Sequence, residues 1–183
     1  MIVVNDYACN RKTYSVKAEG NTDASEVIVP TKTVLTEDFE ETSFPPEGWS
    51  LKSQAAKTWY QGTEYGSKMA MVDLSKTEQQ DEWLITPAID LSAQTTKAGM
   101  VFDFYTNYYW SVQNHYHNLK VMASADNGAT WEQIWQLWDW NPKNEFNAWE
   151  KTQAQVSIPD KFQNAEAVQF AFVYEGKDST SLW

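Results

Sequence analysis

Cysteine occurs once in the 183 residues, at Cys9. No disulfide can close within the chain, and no cysteine-based zinc site can form. Arginine is equally scarce, with Arg11 alone. The two histidines stand in Asn114-His115-Tyr116-His117-Asn118 with no third soft ligand beside them. They are expected on an exposed loop or strand edge rather than in a structural zinc site. The seven glycines are scattered, so no glycine-rich loop cradles a phosphate. No Gly-x-Ser-x-Gly turn offers a serine nucleophile. Long apolar runs are missing too. The opening stretch from Met1 to Cys9 holds only Ile2, Val3 and Val4 together, far short of the roughly 20 apolar residues of a membrane span and of a signal peptide's apolar region. Tyr7-Ala8-Cys9 faintly resembles a bacterial lipobox, but no apolar run of the needed length precedes it. Either the chain stays in the cytosol or its export signal lies outside this stretch.

Positive charge is the next shortage. Fourteen Lys and Arg face 25 Asp and Glu, a formal charge of −11. Such a chain repels phosphate backbones and anionic bilayers, so nucleic acid and membrane insertion are not expected, and a cation or a neutral ligand fits better.

Aromatic residues are abundant, with ten Trp and nine Tyr, which argues for a packed core and against disorder. Residues 1–32 are polar and read as a linker or the tail of a preceding domain; residues 33–183 read as one domain. Within it, short runs of β-branched and aromatic residues recur: Val34 to Phe39, Thr58 to Gln61, Ala70 to Val72, Trp83 to Ile85, Met100 to Tyr105, Leu119 to Ala123, Trp131 to Leu137, Gln155 to Ile158 and Val168 to Tyr174. Val101, Asp103 and Tyr105 should face one way, Phe102 and Phe104 the other. No segment keeps a helical period. The expected fold is all-β, a two-sheet antiparallel sandwich or jelly roll of about nine or more strands.

Ser124-Ala-Asp126-Asn-Gly128-Ala-Thr130-Trp131 has Asp-box spacing. It predicts a hairpin turn in which Asp126 accepts backbone N–H bonds, Asn127-Gly128 takes positive φ and Trp131 packs beneath. One such box without an arginine cluster does not make a sialidase. Neighbouring acids, Asp38 with Glu40 or Asp81 with Glu82, raise the possibility of a glycoside hydrolase carboxylate pair, but surface solvation is the ordinary fate of such acids. Asp38, Glu40, Asp81, Asp90 and Asp103 fall at or near strand ends and could supply oxygens to a calcium ion. Aromatics cluster at Tyr108, Tyr109, Trp110 and Tyr116, and again at Trp138, Trp140, Phe146 and Trp149. Exposed, such rings stack on sugars or anchor a protein; buried, they are core. The Trp138-Asp139-Trp140 segment is the one expected to stay exposed.

Four ordered landmarks carry a family resemblance: Glu37-Asp-Phe-Glu40 with Phe44-Pro-Pro-Glu-Gly-Trp49; Asp81-Glu-Trp-Leu-Ile-Thr-Pro87 with Ile89-Asp-Leu-Ser92; Val101-Phe-Asp-Phe-Tyr105; and the Leu119 to Trp131 hairpin with Val168 to Tyr174. The set resembles the cleaved-adhesin or choice-of-anchor J domains of Bacteroidota surface proteins and gingipain-type proteases, which are distantly like MAM domains. The resemblance covers about residues 33–183. It implies a jelly roll, export to the cell surface or beyond, and a structural calcium ion, with Asp38 and Glu40 as ligands and Asp81 and Asp103 as weaker candidates. The family usually continues into a final strand bearing an Asp-Asp pair, so the domain is expected to lack its closing strand. The resulting expectation is a non-catalytic, calcium-stabilised adhesion module binding a glycan or extracellular protein through Tyr109, Trp110, Trp138 and Trp140, alongside other domains of the same polypeptide. The alternatives are a carbohydrate-binding accessory domain of a secreted hydrolase or peptidase and, in another class, a glycoside hydrolase.

Overall fold

The computed structural model describes residues 2–4, 33–64, 66–93, 97–140 and 149–176. Apart from Ile2–Val4, the segment expected to be a linker lies outside them, as does Phe146. Each of the nine strand-like runs overlaps an observed strand. One sheet has the order β10 (Trp149–Ser157), β7 (Gly99–Asn107), β1 (Ile2–Val4), β2 (Leu35–Glu37); the other runs β3 (Ser50–Lys52), β6 (Gln80–Ile85), β11 (Gln169–Gly176), β8 (His117–Ser124), β9 (Glu132–Gln136). A separate hairpin joins β4 (Tyr60–Glu64) to β5 (Ser67–Met71). Among the described residues the pairings are antiparallel except at β1, which runs parallel to β2 and β7.

Alternation explains how the two large sheets meet. In β7, Met100, Phe102, Phe104 and Thr106 are buried while Val101, Asp103 and Tyr105 are only partly so, as period-2 side chains require. In β11, Phe170 and Phe172 point the same way into the core, opposite Ala123 and Val121 of β8. Phe102 meets Phe172 at 5.1 Å and 81° and Trp135 at 5.2 Å and 90°, edge to face across the sandwich. Each buried phenylalanine contributes about 1.5–3 kcal/mol by leaving water. Trp49, carried in by the turn after Pro46, stacks on Phe172.

Two polar side chains are buried on the inner face of β6 and tie the segment before the hairpin to the sandwich. Gln80, 0% exposed, accepts Ser75 N–H at 2.6 Å and donates to the carbonyls of Lys57 and Asp73, both at 2.9 Å. Glu82, also 0% exposed, accepts the N–H groups of Gln54 and Ala55 at 3.1 and 2.7 Å through Oε1. Its backbone carbonyl takes the Trp59 indole N–H at 2.8 Å. These bonds satisfy loop amides that water cannot reach, and they fix the approach of Trp59 and β4.

The Asp-box turn forms as expected. Asp126 accepts Thr130 N–H at 2.9 Å and Thr130 Oγ1 at 2.6 Å, and Ser124 Oγ donates to it at 2.7 Å. Asn127 and Gly128 have φ of 56° and 80°. Trp131 lies against Gly128 and meets Trp83 edge-on at 5.4 Å on the outer face of the second sheet.

Candidate functional site

A cleft of about 670 Å³ opens between the sheets beside the β4–β5 hairpin. Met69 to Leu74, in β5 and the segment after it, form one wall. Inner-face side chains of β6, β7, β8 and β11, among them Leu84, Phe104, Leu119, Phe172 and Tyr174, form the rest. Trp59, Trp110, Tyr116 and Trp149 line it, and the acidic residues Asp38, Glu64 and Asp73 border it.

Trp110 is positioned by an irregular helical turn, Tyr109–Gln113, which follows β7 directly. Its i to i+5 bond, Asn114 N–H to Tyr109 carbonyl at 3.1 Å, is the wide turn often found at functional sites. Buried Ser111 locks it, donating to Asn107 carbonyl at 2.7 Å and sharing a hydrogen bond with Thr106 at 2.8 Å. The Trp110 ring meets Tyr109 at 4.9 Å and Tyr116 at 5.5 Å.

His117 is the cleft's histidine. Its ring stacks on Trp149 at 6.3 Å and 1° and on Tyr174 at 5.8 Å and 20°. Burial disfavours the imidazolium and pulls its pKa down to about 4, so the ring is neutral at pH 7. Burial, and then the nearby Asp73 charge, push the Tyr174 hydroxyl well above its ordinary value. The histidines therefore part company. His115 is exposed at a positive-φ turn, as expected, whereas His117 corrects the expectation of an exposed loop or edge by lying partly buried in the cleft. The signal was the inward alternation of Leu119, Val121 and Ala123 in β8, which extended back by two residues points His117 inward.

The four carboxylates expected near calcium are not gathered. Asp103 is on the outward-alternating side of β7, held by Lys151 Nζ at 3.2 Å and Gln153 Nε2 at 2.9 Å. Asp81 is on the outward side of β6 in the other sheet, where it accepts the Trp83 indole N–H at 2.7 Å. Asp38 and Glu40 stay together just after β2. Asp38 Oδ1 accepts Glu40 N–H at 3.1 Å, and Glu40 Oε1 accepts Lys68 N–H at 3.2 Å. The carbonyls around them already have donors: Lys68 Nζ reaches those of Glu40 and Glu41 at 2.9 and 3.2 Å, and Gln61 Nε2 those of Phe39 and Glu41 at 2.7 and 2.6 Å. As arranged, these residues do not fit a shared calcium cage, which needs six to eight converging oxygens. Among the described residues no three His, Cys, Asp or Glu side chains cluster so as to hold a metal ion.

Of the four aromatics expected to meet a ligand, Trp110 lines the cleft, and Tyr109, 37% exposed, packs on it. Trp138 donates its indole N–H to the His117 carbonyl at 2.9 Å and so supports the cleft from behind. Trp140 packs on Phe104 at 5.6 Å and against the core, so the Trp138-Asp139-Trp140 segment is not the exposed platform expected. Trp149, 58% exposed, was expected as a member of the second aromatic cluster but not in the narrower set of ligand residues, and Trp59 was in neither; the placement of β10 and β4 brings them to the cleft.

Fold and site together define an all-β sandwich with an aromatic-walled cleft between its sheets. No protein-family model, curated protein or solved structure matches the chain.

Proposed function

We propose that this domain is a non-catalytic binding module of a secreted or cell-surface protein, taking a glycan or extracellular protein in the cleft between its sheets. The observation that carries the reading is the concentration of Trp59, Trp110, Tyr116 and Trp149 around one concave site, the composition of surfaces that grip sugars and protein anchors. Export, and kinship with cleaved-adhesin domains, rest on the sequence resemblance. The calcium-stabilised form of the reading rests on Asp38 and Glu40 alone and requires an ion to displace Lys68 from the carbonyls it holds. Melting in EDTA and in millimolar calcium tests that part: a rise that grows in Lys68→Met supports an ion at Asp38 and Glu40, and no shift removes calcium from the proposal.

The cleft itself is tested by screening glycans and matrix proteins for binding to wild type, Trp110→Ala and Trp149→Ala. Binding that both substitutions weaken supports the proposal, and binding indifferent to both overturns the cleft as its seat. Any oligosaccharide bound is recovered and sized. Intact sugar agrees with a binding or accessory module, and cleaved sugar converts the reading to a glycoside hydrolase.

A further inference from the structure

Resting on the cleft as the binding site, we infer that its occupant is a cationic side chain, a lysine or arginine of a basic segment in a partner protein. Two independent features of the lining agree. The first is the aromatic wall. The Trp59 indole N–H is spent on the Glu82 carbonyl at 2.8 Å, so this ring brings the cleft aromatic surface and no hydrogen-bond donor. Faces of Trp and Tyr attract ammonium and guanidinium groups.

The second is the balance of charge. Asp38, Glu64 and Asp73 line the cleft against Lys68, while Asp103 and Lys151 neutralise each other on the outward side of β7. Both lysines are committed within the fold, Lys68 to the carbonyls of Glu40 and Glu41 and Lys151 to Asp103. The positive charge that would greet an anion is thus held by internal acceptors, and an incoming carboxylate or phosphate meets acids. The whole chain, at −11, draws basic partners by the same sign. An apolar stem with a cationic tip matches the end of the cleft at the base of the hairpin, its methylenes against Met71 and Leu74 and its charge toward Asp73.

The test follows tryptophan fluorescence and indole N–H resonances of the whole chain with three probes. These are the peptide acetyl-Gly-Lys-Arg-Gly-amide, its neutral analogue with norleucine and citrulline, and a neutral glucose hexasaccharide. The basic peptide should shift the Trp110 and Trp149 signals saturably, the neutral analogue should not, and added salt should weaken binding. Asp73→Asn should weaken it by roughly threefold to tenfold, the scale of one partly screened charge, whereas Glu64→Gln, about 20 Å away at the hairpin tip, should leave it nearly unchanged. Asn at 73 keeps an acceptor for the Tyr60 hydroxyl, now bonded at 3.2 Å, and unchanged melting will confirm that both variants fold. Equal binding of the neutral analogue, or indifference to Asp73→Asn, overturns the inference. Saturable binding of the hexasaccharide without the peptide also overturns it, while leaving the binding-module reading intact. Silence toward all three at millimolar concentration counts against both.

Discussion

At the scale of single residues, two carboxylates illustrate opposite uses of one functional group. Asp126 is at the surface, and three hydrogen bonds from Thr130 and Ser124 favour its ionised form, holding its pKa down to about 2 against an ordinary 3.8. A depressed folded pKa adds stability that is present above the unfolded value and fades as pH falls through the folded one. Asp126→Ala should therefore lower the melting temperature at neutral pH, and its gap from wild type should shrink as pH is taken from about 3.8 toward about 2. Thermal scans across that range check it. Glu82, by contrast, is fully buried and serves Gln54 and Ala55 N–H through one oxygen. Glu82→Ala strands both amides. We expect a loss of about 2 kcal/mol or more by denaturant titration, the cost of unsatisfied buried groups.

At the scale of elements, the placement of the β4–β5 hairpin decides whether the cleft exists, and the bonds that place it lie at both its ends. On one side Lys68 of β5 clasps the carbonyls of Glu40 and Glu41. On the other, Gln80 draws in Lys57 and Asp73, the residues flanking the hairpin. Gly176, at the end of β11, leaves room for that second clasp: a Cβ there would lie 2.6 Å from Gln80 Oε1, the atom that accepts Ser75 N–H at 2.6 Å. Gln80 is enclosed and cannot retreat. Gly176→Ala should cost about 1–3 kcal/mol as overpacking, and amide exchange should quicken first in 73–80 rather than throughout the sandwich. Uniform quickening would mean that the clasp is not a separate unit.

At the scale of the whole molecule, the sandwich encloses one imidazole that must stay neutral. The His117 pKa is near 4 when folded and near 6.5 when exposed. Above the higher value neither state is charged. Below it the unfolded chain takes up the proton first, so stability falls as pH drops from about 6.5 through about 4, by up to about 3 kcal/mol. His117→Gln should flatten that part of the stability curve. A slope unchanged in the variant would show that another group is responsible. The joint between the sheets makes a separate prediction. Phe172 touches Phe102 of the opposite sheet and Trp49, which immediately precedes β3 of its own sheet, and Phe172→Ala should cost about 3–5 kcal/mol in denaturant titrations.

What the sequence determined by itself is what depends on near neighbours along the chain. Val101 to Tyr105 and Val168 to Tyr174 disclose their faces because a strand's side chains alternate by geometry, whatever lies across from them. Ser124 to Trp131 discloses its turn because Asp126, Asn127 and Gly128 act within eight residues. Strand β3 was not visible this way, since Ser50, Leu51 and Lys52 are all exposed and are held by backbone pairing to β6. The tertiary structure alone decided the site. It put Asp81 and Asp103 on the outward sides of different sheets, turned Lys68 onto the carbonyls beside Glu40, set Trp140 into the core and brought Trp59, Trp110 and Trp149 round one cleft. Those residues lie far apart in sequence. Only the packing of one sheet on another, driven by apolar burial, gives them a common address.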